Sequence, residues 1–236
     1  MLLLEFVAWV VATLSIVTLT VLASRRFGVE IAIGIFATLT IVANVVCRKL
    51  VVIGSFVVPA GVIVYSSTFL VTDIISEVYG RDEGKKAVIC GLLANIVMLV
   101  SVFIVLIWTP ANIPGNSEVA KAFETVFSLT PRIVFASIVA YFVSQMHDVY
   151  AFHFWKVKTH GKHLWLRNNA STIVSQAIDT AIFITLAFYG VVPNDVLFSM
   201  MFGQYVIKVL IALLDTPFMY LATAIFKDLK RVEATV

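Results

Sequence analysis

Seven long apolar segments constrain the fold of this chain more than any other feature. They cover residues 3–23, 29–47, 58–79, 87–108, 132–154, 170–191 and 196–226. A helix of about 20 apolar residues crosses the hydrocarbon core of a bilayer, so each segment is long enough for a span. Charged residues make up only 13% of the chain, whereas soluble domains carry about 25%. We predict an all-α, polytopic transmembrane helix bundle of six to seven membrane spans, with residues 1–236 forming one integral membrane domain.

Lysine and arginine residues fall unevenly on the two sides of this predicted bundle. One side of a seven-span arrangement receives Arg25, Arg26, Arg81, Lys85, Lys86, Lys156, Lys158, Lys162, Arg167, Lys227, Lys230 and Arg231. The other side receives Arg48, Lys49, Lys121 and Arg132. Because cytoplasmic loops carry the excess of basic residues, we predict a multi-pass protein of the inner (cytoplasmic) membrane with its C-terminus in the cytoplasm. Arg48 and Lys49 are expected either to lie at the interface or to turn inward toward a carboxylate or ligand.

Two shorter pieces lie between the predicted spans. Residues 50–61 are apolar but contain Gly54, Pro59 and Gly61, which favours a short extended or re-entrant piece. A short amphipathic helix is predicted around Ser117–Phe127. Pro217 is expected to kink or divide the last helix.

Two carboxylates, Asp73 and Glu77, interrupt the third apolar segment, which reads Thr68-Phe-Leu-Val-Thr-Asp-Ile-Ile-Ser-Glu-Val-Tyr-Gly80. A carboxylate at the centre of a membrane helix costs about 2.5–3.5 kcal/mol on insertion scales. Their four-residue spacing places both on one helical face. We therefore predict a polar site inside the bundle, with the deeper Asp73 as the ligand anchor. Glu77 has an alternative role, as a helix-end ion pair with Arg81.

Further polar residues lie in or near the other spans, and they extend the candidate site. They are Asn44, Asn95, Gln145, Asp148, Arg167, Asn168, Asn169, Gln176 and Asp179. As an alternative, some of them form hydrogen bonds between helices and contact no ligand. Lys208 and Asp215 are expected to neutralise each other or to be neutralised by charged groups of a neighbouring helix. His147, beside Asp148, is expected either to pack in the bundle or to relay protons.

The chemistry of this set permits several ligands. Carboxylates and amides form paired hydrogen bonds with planar heterocycles such as a guanine-like edge, and aromatic side chains can flank the ring. An organic cation and a proton-coupled solute are equally compatible with the same residues. No spacing of histidine or cysteine residues, Cys47 and Cys90 included, predicts a metal. We expect no cofactor and no nucleic-acid partner.

Several of these motifs resemble the queuosine precursor transporter family, a group of vitamin uptake transporter-like membrane proteins. The resemblance covers roughly residues 30–225. It is carried by Ala43-Asn44, Val58-Pro-Ala-Gly61, the 68–80 stretch quoted above, Gly91-Leu-Leu-Ala-Asn95, and Leu166-Arg-Asn-Asn-Ala-Ser171 followed by Ser175-Gln176 and Asp179. The Thr-Asp and Glu-Val-Tyr-Gly motifs, taken together with Arg-Asn-Asn and Ser-Gln, are specific.

The resemblance implies a transporter and not an enzyme. It implies a six- or seven-helix importer of 7-deazaguanines, such as the 7-cyano and 7-aminomethyl precursors of queuosine or of archaeosine. Asp73 or Glu77 is then expected to accept hydrogen bonds from the guanine-like edge. Asn44, Asn95, Gln145 and Gln176 would orient the ring, and Asp148 or Asp179 would meet the 7-substituent or shuttle a proton. Arg167 with Asn168 and Asn169 would govern the cytoplasmic end of the pathway.

Three alternatives remain open at this stage. The first is a substrate-capture subunit of an energy-coupling-factor transporter. In that case Ala8-Trp-Val-Val-Ala12 in the first helix would dock to a helix of a partner protein. An intramembrane enzyme and a structural scaffold are the others, although nothing pairs a nucleophile with a base. The expected partners are the lipid bilayer and a small molecule, and the sequence permits a homodimer.

Overall fold

The computed structural model describes residues 3–47, 49–128 and 131–233 and shows a bundle of long helices. Arg48, predicted at the interface or turned inward, lies outside the described residues. The elements in chain order are α1 (Leu3–Leu22), α2 (Ser24–Phe27), α3 (Val29–Val46), β1 (Leu50–Ile53), β2 (Phe56–Pro59), α4 (Val62–Val78), α5 (Arg81–Ile107), α6 (Asn116–Phe127), α7 (Pro131–Lys158), α8 (Leu164–Phe188) and α9 (Asn194–Glu233).

Six described helical stretches are long and apolar enough to cross a membrane, which confirms the predicted fold class. They are 4–27, 29–46, 81–107, 132–158, 164–188 and 194–227. Helix α4 corresponds to the third predicted span, 58–79, and is not among these six. It has 17 residues, and twelve of them are buried. Its neighbours are α1, α3, α5, α7, α8 and α9, so α4 is the central helix of the bundle.

The apolar piece between the second and third segments forms a small hairpin. Strands β1 and β2 pair antiparallel, with Leu50 opposite Pro59 and Ile53 opposite Phe56. Of the two predicted forms the extended one is correct, and these strands are an addition to the otherwise all-α fold. The Phe56 ring packs against Phe202 of α9 with centroids 6.2 Å apart. The hairpin is therefore attached to the bundle at the end where α4 begins.

The remaining boundaries differ from the predicted ones in one important place. The amphipathic helix is confirmed as α6, and α9 runs through Pro217 as one continuous helix. Helix α8, however, begins at Leu164 and not near 170, because His163 adopts a left-handed conformation and ends the preceding loop. Arg167 was predicted in a basic loop, but it lies in the first turn of α8 with 1% of its surface exposed.

Contacts at one end of the bundle bring the basic segments together. The hydroxyls of Ser24 and Tyr79 lie 3.0 Å apart, next to Arg25 and Arg26. The Tyr79 ring packs against Phe226, with centroids 5.9 Å apart. Lys156 of α7 reaches the end of α4, where its ammonium lies 3.1 Å from Glu77. We call this the basic end of the bundle, and the end with the hairpin the hairpin end.

A glycine lets α3 and α4 approach closely at the hairpin end. A Cβ at Gly61 would lie 2.5 Å from the carbonyl oxygen of Ala43, whereas a Cβ at Gly34 on the exposed side of α3 meets nothing within 4 Å. We expect Gly61→Ala to destabilise the protein by about 1–3 kcal/mol, as overpacked sites do. The melting temperature in detergent measures this, with Gly34→Ala as the matched control. Equal melting temperatures for the two variants would contradict the predicted crowding.

Candidate transport site

Helix α4 carries a row of polar side chains through the middle of the bundle. Tyr65, Thr68, Thr72, Asp73 and Glu77 follow one another toward the basic end. From Tyr65 to Glu77 the helix advances roughly 18 Å at 1.5 Å per residue. Polar residues of α7, α8 and α9 meet this row in three layers, which we describe from the hairpin end to the basic end.

The first layer is a cavity beside the hairpin. Its empty volume is about 960 Å³, which includes space open to the surroundings. Small-molecule sites combine apolar walls with a few polar groups. The polar lining here includes Thr40, Asn44, Tyr65, Asn95, Ser137, Tyr141, Asp179, Gln204 and Lys208, and Phe183 contributes an aromatic wall. Three of the predicted site residues, Asn44, Asn95 and Asp179, therefore share this cavity.

An ion pair forms one wall of the cavity. The ammonium of Lys208, 1% exposed, donates to Oδ2 of Asp179. The other carboxylate oxygen of Asp179 accepts hydrogen bonds from the hydroxyl of Tyr65 at 2.6 Å and from that of Ser144 at 3.1 Å. The Lys208 nitrogen also lies 5.1 Å from the centre of the Tyr65 ring. This cluster offers a ligand both an anionic acceptor and a cationic donor.

Two amides form another polar wall. Nδ2 of Asn44 donates to Oδ1 of Asn95 at 2.5 Å, and Nδ2 of Asn95 donates to Oγ1 of Thr40 at 3.0 Å and to the Gly91 carbonyl at 2.8 Å. Asn95 is buried and Asn44 is half-buried at the cavity surface. The pair joins α3 to α5, so it has a packing role as well as an exposed polar edge.

The second layer contains three aspartates and lies deeper in the bundle. Asp73, Asp148 and Asp215 are each at most 1% exposed and come from α4, α7 and α9. Neutral groups of α8 contact all three: Thr172 donates to Asp73 at 3.4 Å, Ser175 to Asp148 at 3.1 Å and Asn168 to Asp215 at 2.8 Å. These hydrogen-bond partners on α8, Asn168, Thr172 and Ser175, are spaced four and three residues apart on one face of that helix. We call the three aspartates the aspartate triad.

Two glutamines accompany the triad. Nε2 of Gln145 donates to Thr68 at 2.7 Å, and its Oε1 accepts from Thr72 at 3.3 Å. Gln176 lies one turn beyond Thr172 and is fully buried, yet neither atom of its amide has a hydrogen-bond partner among the described residues. Since a buried polar group without a partner costs about 1–3 kcal/mol, the Gln176 amide is available to a ligand or to water.

The third layer closes the basic end. Glu77 lies 2.8 Å from Nη2 of Arg167 and 3.1 Å from the ammonium of Lys156. Arg167 also donates from Nη1 to the carbonyls of Gly161 and Lys162, at 3.0 and 2.9 Å. The ion pair predicted between Glu77 and Arg81 is therefore wrong, because Arg167 becomes the partner of Glu77 once α8 starts early enough to bury it. Arg81 instead lies 3.8 Å from Asp82.

The structure thus divides the predicted residues among the layers. Asn44, Asn95 and Asp179 line the cavity, Asp73, Gln145, Asp148, Asn168 and Gln176 lie in the second layer, and Glu77 and Arg167 form the third. Asn169 bonds to Trp165 and Thr216 and joins α8 to α9. The predicted set omitted Tyr65, Gln204 and Lys208. A lysine inside an apolar helix was the signal that pointed to Lys208, and its partner Asp179 is 29 residues away in sequence.

Comparisons with known proteins identify a family of transporters. A family model described as "Putative vitamin uptake transporter" matches residues 59–222. A protein of Bacillus subtilis named "Probable queuosine precursor transporter" is 34% identical over 199 residues, which cover 84% of each chain. A protein of Haemophilus influenzae with the same name is 26% identical over 130 residues, 55% of this chain and 51% of that one. No solved structure matches significantly.

The family match extends over most of the candidate site, although it leaves out Thr40 and Asn44 of the cavity. The family model covers all of α4, α5, α7 and α8, and it includes the aspartate triad and the Lys208–Asp179 pair. The family consists of transporters, which agrees with the prediction of a transporter and not an enzyme. The six spanning helices likewise confirm a multi-pass membrane protein. The chain belongs to the vitamin uptake transporter family that includes the queuosine precursor transporters.

Proposed function

We propose that this protein imports 7-deazaguanine precursors of queuosine across the cytoplasmic membrane. The observation that carries the proposal is the cavity at the hairpin end, where a carboxylate, an ammonium and two amides meet inside a bundle of membrane helices. The names of the two relatives supply the substrate class. An archaeosine precursor has the same ring and is expected to fit the same cavity.

A guanine-like edge needs acceptors and donors next to each other. Its ring N–H and amino groups donate, and its carbonyl oxygen accepts. Asp179 supplies the acceptor and Lys208 the donor at one wall, while Asn44 and Asn95 supply amide groups at another. Tyr65, Tyr141 and Phe183 line the same space, where aromatic rings can flank a planar base.

The second and third layers are the remaining route to the cytoplasm. Transporters open the two ends of the pathway alternately around a central site. In this conformation Asp73 does not line the cavity, so we propose that its carboxyl meets the substrate or a coupling ion when the second layer opens. Glu77 and Arg167 hold the basic end closed and would separate when that end opens.

The orientation of the bundle follows from its charges. We propose that the basic end faces the cytoplasm, together with the C-terminus, because the four basic regions lie at that end. Two variants test this orientation in whole cells. In both, the protein's own Cys47 and Cys90 are replaced, and a single cysteine is introduced at position 227 or at position 118. A membrane-impermeant thiol reagent should label position 118 and spare position 227, and the opposite result would reverse the orientation.

A bacterium unable to make 7-deazaguanines tests the transport function. Cells that express this protein should restore queuosine in their tRNA when fed the 7-cyano or the 7-aminomethyl precursor. The host should also lack an energy-coupling-factor module, because activity there would rule out a role as a dependent capture subunit. Membrane expression without any restoration would contradict the proposed function. Crosslinking in the same membranes tests whether the protein forms the homodimer that its sequence permits.

Substitution of Asp73 tests the role of the second layer. We expect Asp73→Asn to lose most of the uptake while its membrane level stays unchanged, since asparagine keeps the size of aspartate but cannot carry a negative charge or a proton. The measurement is initial uptake of labelled precursor. Asp195→Asn is the matched control, because Asp195 is an exposed carboxylate at the start of α9. Wild-type uptake in Asp73→Asn would remove Asp73 from the pathway.

A further inference from the structure

In the described part of the bundle, the aspartate triad has no cationic partner. Two buried basic side chains of the bundle are already paired: Lys208 binds Asp179, and Arg167 binds Glu77. Among the residues that the structure describes, no lysine, arginine or histidine nitrogen lies within 4.0 Å of the carboxylates of Asp73, Asp148 or Asp215. Three adjacent negative charges in the membrane interior repel one another and have lost their hydration. At least one of these carboxyls must therefore hold a proton or a cation.

Several hydrogen-bond acceptors in and beside the triad have no donor partner among the described residues. Asn168 donates to Asp215, and its own Oδ1 has no partner in the described part of the chain. Oδ1 of Asp73 and Oδ2 of Asp148 are also without a hydrogen-bond partner there. All three residues are at most 1% exposed. A proton on an aspartate converts an acceptor into a donor, so protonation relieves both the charge repulsion and the excess of acceptors.

One chain of hydrogen bonds links the triad to a half-buried histidine. Nδ1 of His147 lies 2.9 Å from Oγ of Ser175, and Oγ of Ser175 lies 3.1 Å from Oδ1 of Asp148. Ser175 also lies 2.8 Å from the carbonyl of Ser171, so its single proton has competing acceptors.

The histidine faces a surface cleft. His147 lines this cleft together with Tyr150, Ala151, Phe154, Trp155, Ala170 and Val174. The ring of Tyr150 lies under Arg81 and Lys85, at 5.6 and 4.8 Å from their charged groups. The cleft therefore lies close to the basic end of the bundle.

We propose that the aspartate triad binds the proton that drives transport, and that Ser175 and His147 form the path by which this proton leaves toward the basic end. The proposal rests on the proposed import function and adds its energy source. It separates two sites in one bundle: the substrate occupies the cavity of the first layer, and the coupling proton occupies the second.

The transfer needs only water as a further reactant, and it begins with a neutral His147 that carries its proton on Nε2. A protonated Asp148 donates its proton to Oγ of Ser175 as the Ser175 hydroxyl gives its own proton to Nδ1 of His147. The imidazolium so formed releases the proton from Nε2 to water in the cleft. The products are an aspartate, an unchanged serine and a neutral histidine with its proton on Nδ1. Rotation of the Ser175 hydroxyl toward the Ser171 carbonyl interrupts the path and gives it a gate.

Nearby ionisable groups define what else can respond to pH. On α4 the neighbour is Glu77, paired with Arg167 of α8; on α9 it is Lys208, paired with Asp179. His153 and Lys156 lie farther along α7 toward the basic end. Because these charged groups have partners or lie outside the chain of hydrogen bonds, variants of Ser175 and His147 isolate the path.

Purified protein in liposomes tests the coupling. With the neutral 7-cyano precursor as substrate, a pH gradient of one unit supports roughly tenfold accumulation if one proton accompanies each molecule. We expect wild-type protein to show this accumulation, and an internal pH dye should report proton entry. Asp148→Asn and Asp215→Asn should lose the accumulation but retain exchange of labelled for unlabelled substrate, which needs no net proton movement. Asp195→Asn should behave as wild type.

Two further variants examine the path itself. Ser175→Ala leaves every carboxyl in place but removes the link to His147, and His147→Asn keeps a group near Nδ1 that cannot titrate. Both should slow gradient-driven uptake while substrate exchange continues. His160→Asn, an exposed histidine in the loop before α8, is the matched control. Full gradient-driven uptake by both path variants would overturn the proposed path.

Infrared spectroscopy tests proton binding without any substrate. Wild-type protein should show the C=O absorption of a protonated carboxylic acid at neutral pH, and Asp148→Asn and Asp215→Asn should reduce it. Absence of this absorption, accumulation driven by a sodium gradient alone, or accumulation in the Asn variants would overturn the proton site. If wild-type protein neither exchanges nor accumulates a 7-deazaguanine while the infrared signal is present, the substrate assignment fails and the proton site stands.

Discussion

Lys208→Met should reduce initial uptake of a 7-deazaguanine by roughly tenfold to a hundredfold, since a hydrogen bond to a charged group contributes about 1.5–3 kcal/mol. Lys208 is the cation of the first layer, and its loss also leaves Asp179 as a buried charge without its partner. The single variant is therefore expected to be less stable as well. Uptake must be normalised to the amount of folded protein in the membrane.

A double variant separates binding from stability. Replacing both members of a buried ion pair is often neutral for stability, whereas removing one is not. Lys208→Met with Asp179→Asn should therefore regain the melting temperature and membrane level of the wild type but not its uptake. If uptake returned with the folded protein, the pair would serve only the packing of α8 against α9, and the first layer would not be the substrate site.

Arg167→Met should lower the free energy of unfolding by about 3–5 kcal/mol, the usual cost of removing one partner of a buried ion pair. Arg167 is 1% exposed and connects Glu77 of α4 with the loop before α8. Lys156→Met is the matched control, because it removes the other cation beside Glu77 from a side chain that is 29% exposed. Its expected cost is below about 1 kcal/mol, as for partly exposed pairs. Melting curves in detergent compare the two.

Equal destabilisation by the two variants would contradict this assignment of the third layer. If Arg167→Met instead keeps its stability and raises uptake, the Glu77–Arg167 pair restrains opening without supporting the fold.

The fold could be predicted from the sequence because the length and hydropathy of each segment indicate a membrane helix without knowledge of the other segments. Segment lengths alone were enough for the helices of the bundle. The breakers Gly54 and Pro59 favoured a short extended or re-entrant piece, but not the pairing of two strands in a hairpin. The start of α8 could not be predicted this way. The residues 164–169 contain arginine and asparagine and read as loop, and only burial against α4 and α9 shows why they are helical.

The candidate site was predictable as a set of residues but not as pairs. Asp73 and Glu77 were identified as unusual from their own surroundings, and both are buried or nearly so. Their partners come from distant segments, so sequence spacing suggested Arg81 for Glu77 where tertiary packing provides Arg167. Lys208 and Asp215 were expected to neutralise each other or a neighbouring helix. In the structure Lys208 is neutralised by Asp179 of α8, as expected of a neighbouring helix, whereas Asp215 accepts a hydrogen bond from the neutral Asn168 and has no described cation as its partner.

The shortness and burial of α4 bear on how the protein is made. A translocon admits a segment by its hydrophobicity, and each carboxylate near a helix centre adds about 2.5–3.5 kcal/mol against entry. Helix α4 has 17 residues, contains Asp73 and Glu77, and turns little of its surface to lipid. It is poorly suited to enter the bilayer alone. Its stable insertion should therefore wait until α7, α8 and α9 have been synthesised, which couples biogenesis of the central helix to completion of the chain.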